Sequence, residues 1–265
     1  MKAKIIAVFY LLFIFQIFSQ ENNDGNLDEK YTYAESLYLQ KEYQASLIII
    51  NKYLLGGILP HKFRILAAAN YLRLNETPKA IEQLGICIQE HPDNIESILF
   101  LSHIYLEINK TKSARKIART AIKKFGYVSE LYLLLAKSYY KEKEYTSARK
   151  NINLIFDNES NNQQAYFIDG LIFFQQKRYG MAEFRFRHAL NLKNTDNILQ
   201  ADILNNLGVV IEKKNRILDQ GNINSNKDVQ ETLEEAKKFY LDAIKKNPDN
   251  IFAKNNLNRV TAQIN

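Results

Sequence analysis

The side chains able to do chemistry are few and scattered along this sequence. Four histidines, His61, His91, His103 and His188, stand far apart, and none forms a pair at the helical spacing of a metal site. The sequence holds no HExxH or CxxC run, no phosphate-cradling glycine loop and no Gly-x-Ser-x-Gly nucleophile turn. Glu142 and Glu144 sit among lysines and read as solvated surface. Cys87 is the single cysteine, so no intrachain disulfide can staple the fold. No catalytic centre, cofactor or metal site is expected from this inventory.

The composition points instead to long helices. Of 265 residues, 46% are hydrophobic and 25% charged, with only four prolines and nine glycines to interrupt regular structure. A net charge of +7 is a mild excess, short of the clustered basic character that nucleic acid requires. No nucleic-acid partner is expected. At the N-terminus, Lys2 and Lys4 precede an apolar run from Ile5 to Phe18, too short for the ~20 residues of a spanning helix. With Ser19 behind it, this reads as a signal peptide over 1–19, followed by a polar linker over 20–26. The expectation is an exported protein, periplasmic or otherwise extracytoplasmic; the alternative is an inner-membrane anchor made by residues 5–18.

A period of 34 residues organises the rest. Repeats are expected at 27–60, 61–94, 95–128, 129–162 and 163–196, with a sixth at 201–250. The eighth place of each is Ala34, Ala68, Ser102, Ala136, Gly170 and Gly208. The twentieth is Ser46, Ala80, Ala114, Ala148, Ala182 and Ala236. All twelve are small, as two antiparallel helices require where they cross closely. Large residues recur beside them, at the eleventh place (Leu37, Tyr71, Tyr105, Tyr139, Phe173, Ile211) and, Ala118 excepted, at the twenty-fourth (Ile50, Leu84, Ala118, Ile152, Phe186, Tyr240). Cys87 falls at the twenty-seventh place, among alanines, and is expected in the core.

The connections follow the same register. Asn75, Asn109 and Asn215 are expected at the bend inside a hairpin, where the backbone turns left-handed. Thr77 and Thr111 are expected to cap second helices, with Pro78 in the first turn. Pro92, Gly126 and Pro248 are expected to close second helices. The sixth repeat carries about 16 extra residues, expected as a polar loop over 216–231. Residues 251–265 repeat the first-helix pattern and should form a capping helix.

This small-residue register, with its terminal prolines, resembles the tetratricopeptide repeat (TPR) family from Leu27 to the C-terminus. The resemblance implies an all-α, right-handed superhelical solenoid of antiparallel helical hairpins, with about six repeats and a C-terminal closing helix. It departs from the family where a tryptophan is usual, holding Arg64, Ile98, Tyr132, Tyr166 and Leu204. In such a superhelix the first helix of each hairpin lines a concave groove, chiefly through its second, fifth, ninth, twelfth and thirteenth places. The candidate groove residues at those places are Tyr31, Tyr38, Ile65, Leu72, Leu99, His103, Leu106, Leu133, Lys137, Tyr140, Phe167 and Phe174. The sixth repeat turns polar there, at Asn205 and Glu212.

The expected function is a scaffold or adaptor that binds an apolar peptide or helix of a protein partner in this groove, serving bacterial envelope assembly. A carrier of a hydrophobic small ligand or lipid, or a structural homo-oligomer, are the alternatives. Lys112, Arg115, Lys116, Arg119 and Lys123 form a basic run expected on the convex side, where weak contact with an anionic membrane is the further possibility.

Overall fold

The computed structural model describes residues 27–54, 60–192, 196–219 and 226–264. The signal segment and polar linker expected over 1–26 lie outside them. Thirteen α-helices make up the described residues, which contain no strand. They are α1 (Leu27–Leu39), α2 (Tyr43–Leu54), α3 (His61–Arg73), α4 (Thr77–Glu90), α5 (Ile95–Glu107), α6 (Thr111–Phe125) and α7 (Ser129–Lys141). There follow α8 (Tyr145–Asn158), α9 (Gln163–Gln175), α10 (Tyr179–Asn191), α11 (Asn197–Asp219), α12 (Asn226–Lys246) and α13 (Ile251–Ile264). The fold class is an all-α helical-repeat solenoid. The chain divides into two compact parts, one ending at Ile104 and the other beginning at Tyr105, so the division falls inside α5.

The first five turns between a first and a second helix are built alike. The residue at the fifteenth place is left-handed: Lys41 at φ 67°, Asn75 at 61°, Asn109 at 59°, Lys143 at 61° and Lys177 at 59°. Its N–H donates to the carbonyl of the twelfth place, and the next N–H reaches the eleventh. At Lys143 these bonds are to Tyr140 O and, from Glu144, to Tyr139 O, both at 2.9 Å. This is the Schellman ending, which satisfies carbonyls that the helix would leave open. Asn75 and Asn109 stand where the sequence placed them. Asn215 does not: it lies within α11.

Caps fall elsewhere than expected. Neither α4 nor α6 has a side-chain cap; Thr77 and Thr111 are their first helical residues, although Pro78 does stand in the first turn. The caps belong to first helices. Asn94, Asn162, Asp196 and Asn250 accept from the N–H groups of Ser97, Ala165, Leu199 and Ala253 at 2.8 to 3.1 Å. The second helices need no such cap, because the tight turn delivers the sixteenth-place carbonyl to them; Ala148 N–H bonds Glu144 O at 3.0 Å. Second helices do close as read, with Gly126 at φ 75° after α6 and Pro92 and Pro248 just beyond α4 and α12.

All twelve small residues of the eighth and twentieth places are buried, as is Cys87. The core runs as a series of clusters, each joining one hairpin to the first helix of the next. In the N-terminal part, Ala34, Leu47 and Ile50 meet Phe63, Leu66 and Ala67. In the C-terminal part, Leu133, Ala136, Ala148, Ile152 and Ile155 meet Ala165, Ile168 and Ile172, and a further cluster runs from Phe173 and Phe186 to Ile203 and Leu207. Each fully buried aliphatic or aromatic group contributes about 1.5–3 kcal/mol.

The extra residues of the sixth repeat mostly lengthen its helices. α11 has 23 residues and α12 has 21, against 12 to 15 in the others. Of the loop expected over 216–231, residues 216–219 and 226–231 are helical, and 220–225 lie outside the described residues. The physical reason for the longer helices is composition: Ile217, Leu218 and Glu231 are compatible with helix, and no proline falls in either extension.

Candidate interaction faces

No group of three or more His, Cys, Asp or Glu side chains that could hold a metal ion forms among the described residues. The rings of His61 and His91, distant in sequence, meet edge to face at 5.7 Å across one hairpin. His188 stacks on Tyr166 at 4.0 Å, and His103 is exposed. Burial pushes the Cys87 thiol pKa up, which makes it a poor nucleophile. Glu142 is not the free surface acid that its lysine neighbours suggest. It pairs with Arg115 at 2.7 Å and accepts from the Thr111 hydroxyl, and these donors hold its carboxyl down at about 2.

The first-helix face is more deeply packed than the sequence implies. In the N-terminal part Tyr31, Tyr38, Ile65, Leu72 and Leu99 are half-buried. Tyr31 packs edge-on to Phe63 at 5.6 Å and donates to Glu35; burial, with Glu35 beside it, pushes its hydroxyl up to about 12. In the C-terminal part Leu106 and Leu133 are core residues, 3% and 6% exposed, so they are not available to a ligand. The cause is the approach of the next first helix. Lys141 on α7 donates from Nζ to the Leu106 carbonyl at 2.6 Å, which seats α7 over that place. The contact recurs 35 residues apart as Arg73 to Tyr38 and Gln175 to Tyr140.

Lys137, Tyr140, Phe167 and Phe174 remain half-buried on consecutive first helices. Lys137 donates to Gln164 Oε1 at 3.2 Å; burial lowers its ammonium pKa, and Glu107 opposes the shift. The rings of Tyr140 and Phe174 each rest against the first residue of their own second helix, Tyr145 at 6.1 Å and Tyr179 at 5.5 Å. Phe167 leans on Phe186 at 5.8 Å.

The polar turn in the sixth repeat has a structural cause. Asn205 accepts from Asn256, and buried Glu212 takes a two-point fork from Arg259 at 2.5 and 2.8 Å as well as the Tyr240 hydroxyl. These two residues therefore hold α13 in place, where earlier repeats present apolar groups. A similar fork neutralises Arg64 at its core position, from Nε and Nη2 to Glu90 at 2.6 and 2.7 Å.

On α6 the basic run splits. Lys112, Lys116, Arg119 and Lys123 are exposed, but Arg115 turns inward to Glu142 and Ser138 and does not belong to the surface patch. Arg119 donates to the Tyr139 hydroxyl. Sequence reasoning missed Asp169, a fully buried acid paired with Arg149 and Arg185. The signal was present, since Asp169 interrupts an apolar run from Tyr166 to Phe174.

No family model and no curated protein sequence matches this chain. Solved structures do. A tetratricopeptide repeat protein from Parabacteroides merdae superposes with a TM-score of 0.71 at 15% identity, over 91% of this chain and 86% of that one. The C-terminal part of a TPR repeat-containing protein from Cytophaga hutchinsonii gives 0.59 at 14% identity, with 92% of each chain covered. Human IFIT1, solved as a dimer with m7Gppp-AAAA, gives 0.63 at 14% identity, over 94% of this chain and 58% of that one. The chain thus has the fold of tetratricopeptide-repeat proteins.

Proposed function

We propose that this chain is an exported, non-catalytic scaffold that binds another protein, holding an apolar peptide or helix against the first-helix face of its C-terminal part in envelope assembly. The observation that carries the reading is the row formed by Tyr140, Phe167 and Phe174. These large groups stay partly exposed on successive first helices while the leucines beside them are buried. The TPR fold supports a binding role, and the apolar run over 5–18 supports export. Apolar area removed from water there contributes roughly 25 cal/mol per Å² and resists salt.

The test compares two faces. A partner is co-purified from native membranes, identified by mass spectrometry, and titrated against Tyr140→Ala/Phe174→Ala and against Lys116→Glu/Arg119→Glu. The aromatic double variant should weaken binding by several kcal/mol at both low and high salt. Because both rings also pack on their own hairpin, a melting curve must show the variant folded. Loss of binding on charge reversal alone would transfer the function to the exposed lysines of α6 and an anionic membrane or partner. A co-purified lipid would favour a carrier, and a second copy a structural oligomer. N-terminal sequencing should find the mature chain beginning at Gln20 or Glu21; an intact Met1 or Lys2 points to an anchored protein.

A further inference from the structure

Asp169 occupies the seventh place of α9, where Ala67, Leu101, Leu135 and Leu207 are buried apolar side chains. Its Oδ1 accepts from Arg149 Nε on α8 at 2.8 Å. Its Oδ2 lies 2.9 Å from Arg185 Nε on α10, an ion pair whose angle falls outside hydrogen-bond alignment. Aromatic rings support both cations. The Arg149 guanidinium carbon is 4.5 Å from the Phe173 ring centre, and that of Arg185 is 5.6 Å from both Phe156 and Tyr166. Arg178, at the turn, approaches the same Phe173 ring at 4.7 Å.

This differs from the pairing of buried Glu212 and part-buried Glu90. Glu212 and Glu90 each take one arginine in a two-point fork. At Asp169 two guanidiniums are each held through Nε, and their Nη amino groups donate no hydrogen bond among the described residues. Two guanidiniums face one carboxylate, and Arg178 lies against the Phe173 ring that supports Arg149, so the cluster keeps a positive surplus. Its donors are fixed in advance by the aromatic rings and the buried anchor, as recognition of a planar anion requires. Beside them the Phe184 ring, 58% exposed, lies 5.8 Å from the Arg185 guanidinium carbon.

We propose that this cluster is a second binding site, for an acidic peptide segment of a partner protein. A carboxylate sits on the open Nη groups of Arg149 and Arg185, and a neighbouring apolar side chain covers Phe184. A lone oxyanion would satisfy the charge but leave that ring in water, which favours the peptide. The residues belong to the seventh, twenty-first, twenty-second and twenty-third places, none of which lines the first-helix face. The proposal therefore stands or falls apart from the reading above.

The test uses the mature chain with labelled arginine side chains and follows their NMR shifts. The probes are an N-acetylated Glu-Glu-Phe-Glu amide, its Gln-Gln-Phe-Gln counterpart and inorganic phosphate. The acidic peptide should shift Arg149 and Arg185 and bind at least about tenfold more tightly than the glutamine peptide or phosphate. Arg149→Gln and Arg185→Gln should each lose about tenfold in affinity while keeping a folded melt. Phe184→Ser, at an exposed position, should weaken the peptide and leave phosphate unchanged, and so remains informative even if an arginine variant unfolds. Equal binding of the two peptides, phosphate binding as tight as the acidic peptide, or shifts confined to other arginines would overturn the proposal.

Discussion

Where Gly170 would carry a β-carbon, the ring of Phe186 already stands 2.4 Å away, and Gly208 meets the Tyr240 ring in the same way at 2.6 Å. Real β-carbons do not approach so closely, so the eighth and twenty-fourth places share one fixed volume. Hairpins with alanine at the eighth place put Ile50, Leu84 or Ile152 opposite; hairpins with glycine put an aromatic ring there. Size is traded across the crossing of two helices.

That trade predicts coupling. Gly170→Ala should destabilise by ~1–3 kcal/mol through overpacking. Combined with Phe186→Leu, which recreates the pairing of Ala68 and Leu84, it should be tolerated. Urea unfolding of the two single variants and the double should give a favourable interaction of about 1 kcal/mol or more. Strict additivity would show that the two places do not share space.

The lysines in left-handed turns predict stabilisation. Lys143 and Lys177 hold φ near 60° without the local hydrogen bonding that makes asparagine tolerant there. Lys143→Asn and Lys177→Asn should each raise stability by a few tenths to about 1 kcal/mol. Lys150→Asn, on the exposed face of α8, should lower it slightly, and thermal melts of the three separate the turn effect from loss of charge.

These turns also show where the sequence was readable and where it was not. Small residues at fixed spacing announce helix crossings, because only a lack of side chain permits the approach. Asn75 and Asn109 announce left-handed turns through residue preference, but lysine carries no such preference, and Lys41, Lys143 and Lys177 give no signal of theirs. Leu106 and Leu133 looked like groove because a periodic pattern gives the face of a helix and not how closely the next helix covers it. Glu212 showed only as a polar turn in the groove pattern because its partner, Arg259, lies 47 residues further on.

Acid should loosen the join between α6 and α7. Glu142 titrates at about 2 in the folded chain because Arg115 and Thr111 favour its charged form, whereas an unfolded glutamate titrates near ~4.3. Between those values the unfolded chain binds the proton and the folded chain does not. The stabilisation from this group is therefore complete above about pH 5 and disappears as pH falls toward 2. Urea melts should show Glu142→Gln less stable than the parent at pH 7 and indistinguishable from it near pH 2, in that residue's contribution. A gap that does not narrow on acidification would contradict the assignment.

Removing Arg259 should free the last helix. Arg259→Ala leaves Glu212 buried without its counter-charge, and breaking such a pair is strongly destabilising. Hydrogen exchange should rise by about tenfold or more at α13 amides, with α7 and α8 little changed. Uniform exchange across the C-terminal part would mean that α13 is not an independently released element.

The lock between Glu212 and Arg259 bears on how copies of this chain meet. An array of like hairpins is prone to grow, since the first helix of one molecule can stack on the last hairpin of another and start a filament. Here the berth for such a stranger is occupied by α13 and lined with Asn205 and Glu212. An intruding apolar helix would have to strand a buried carboxylate, so this berth favours α13 over such a stranger.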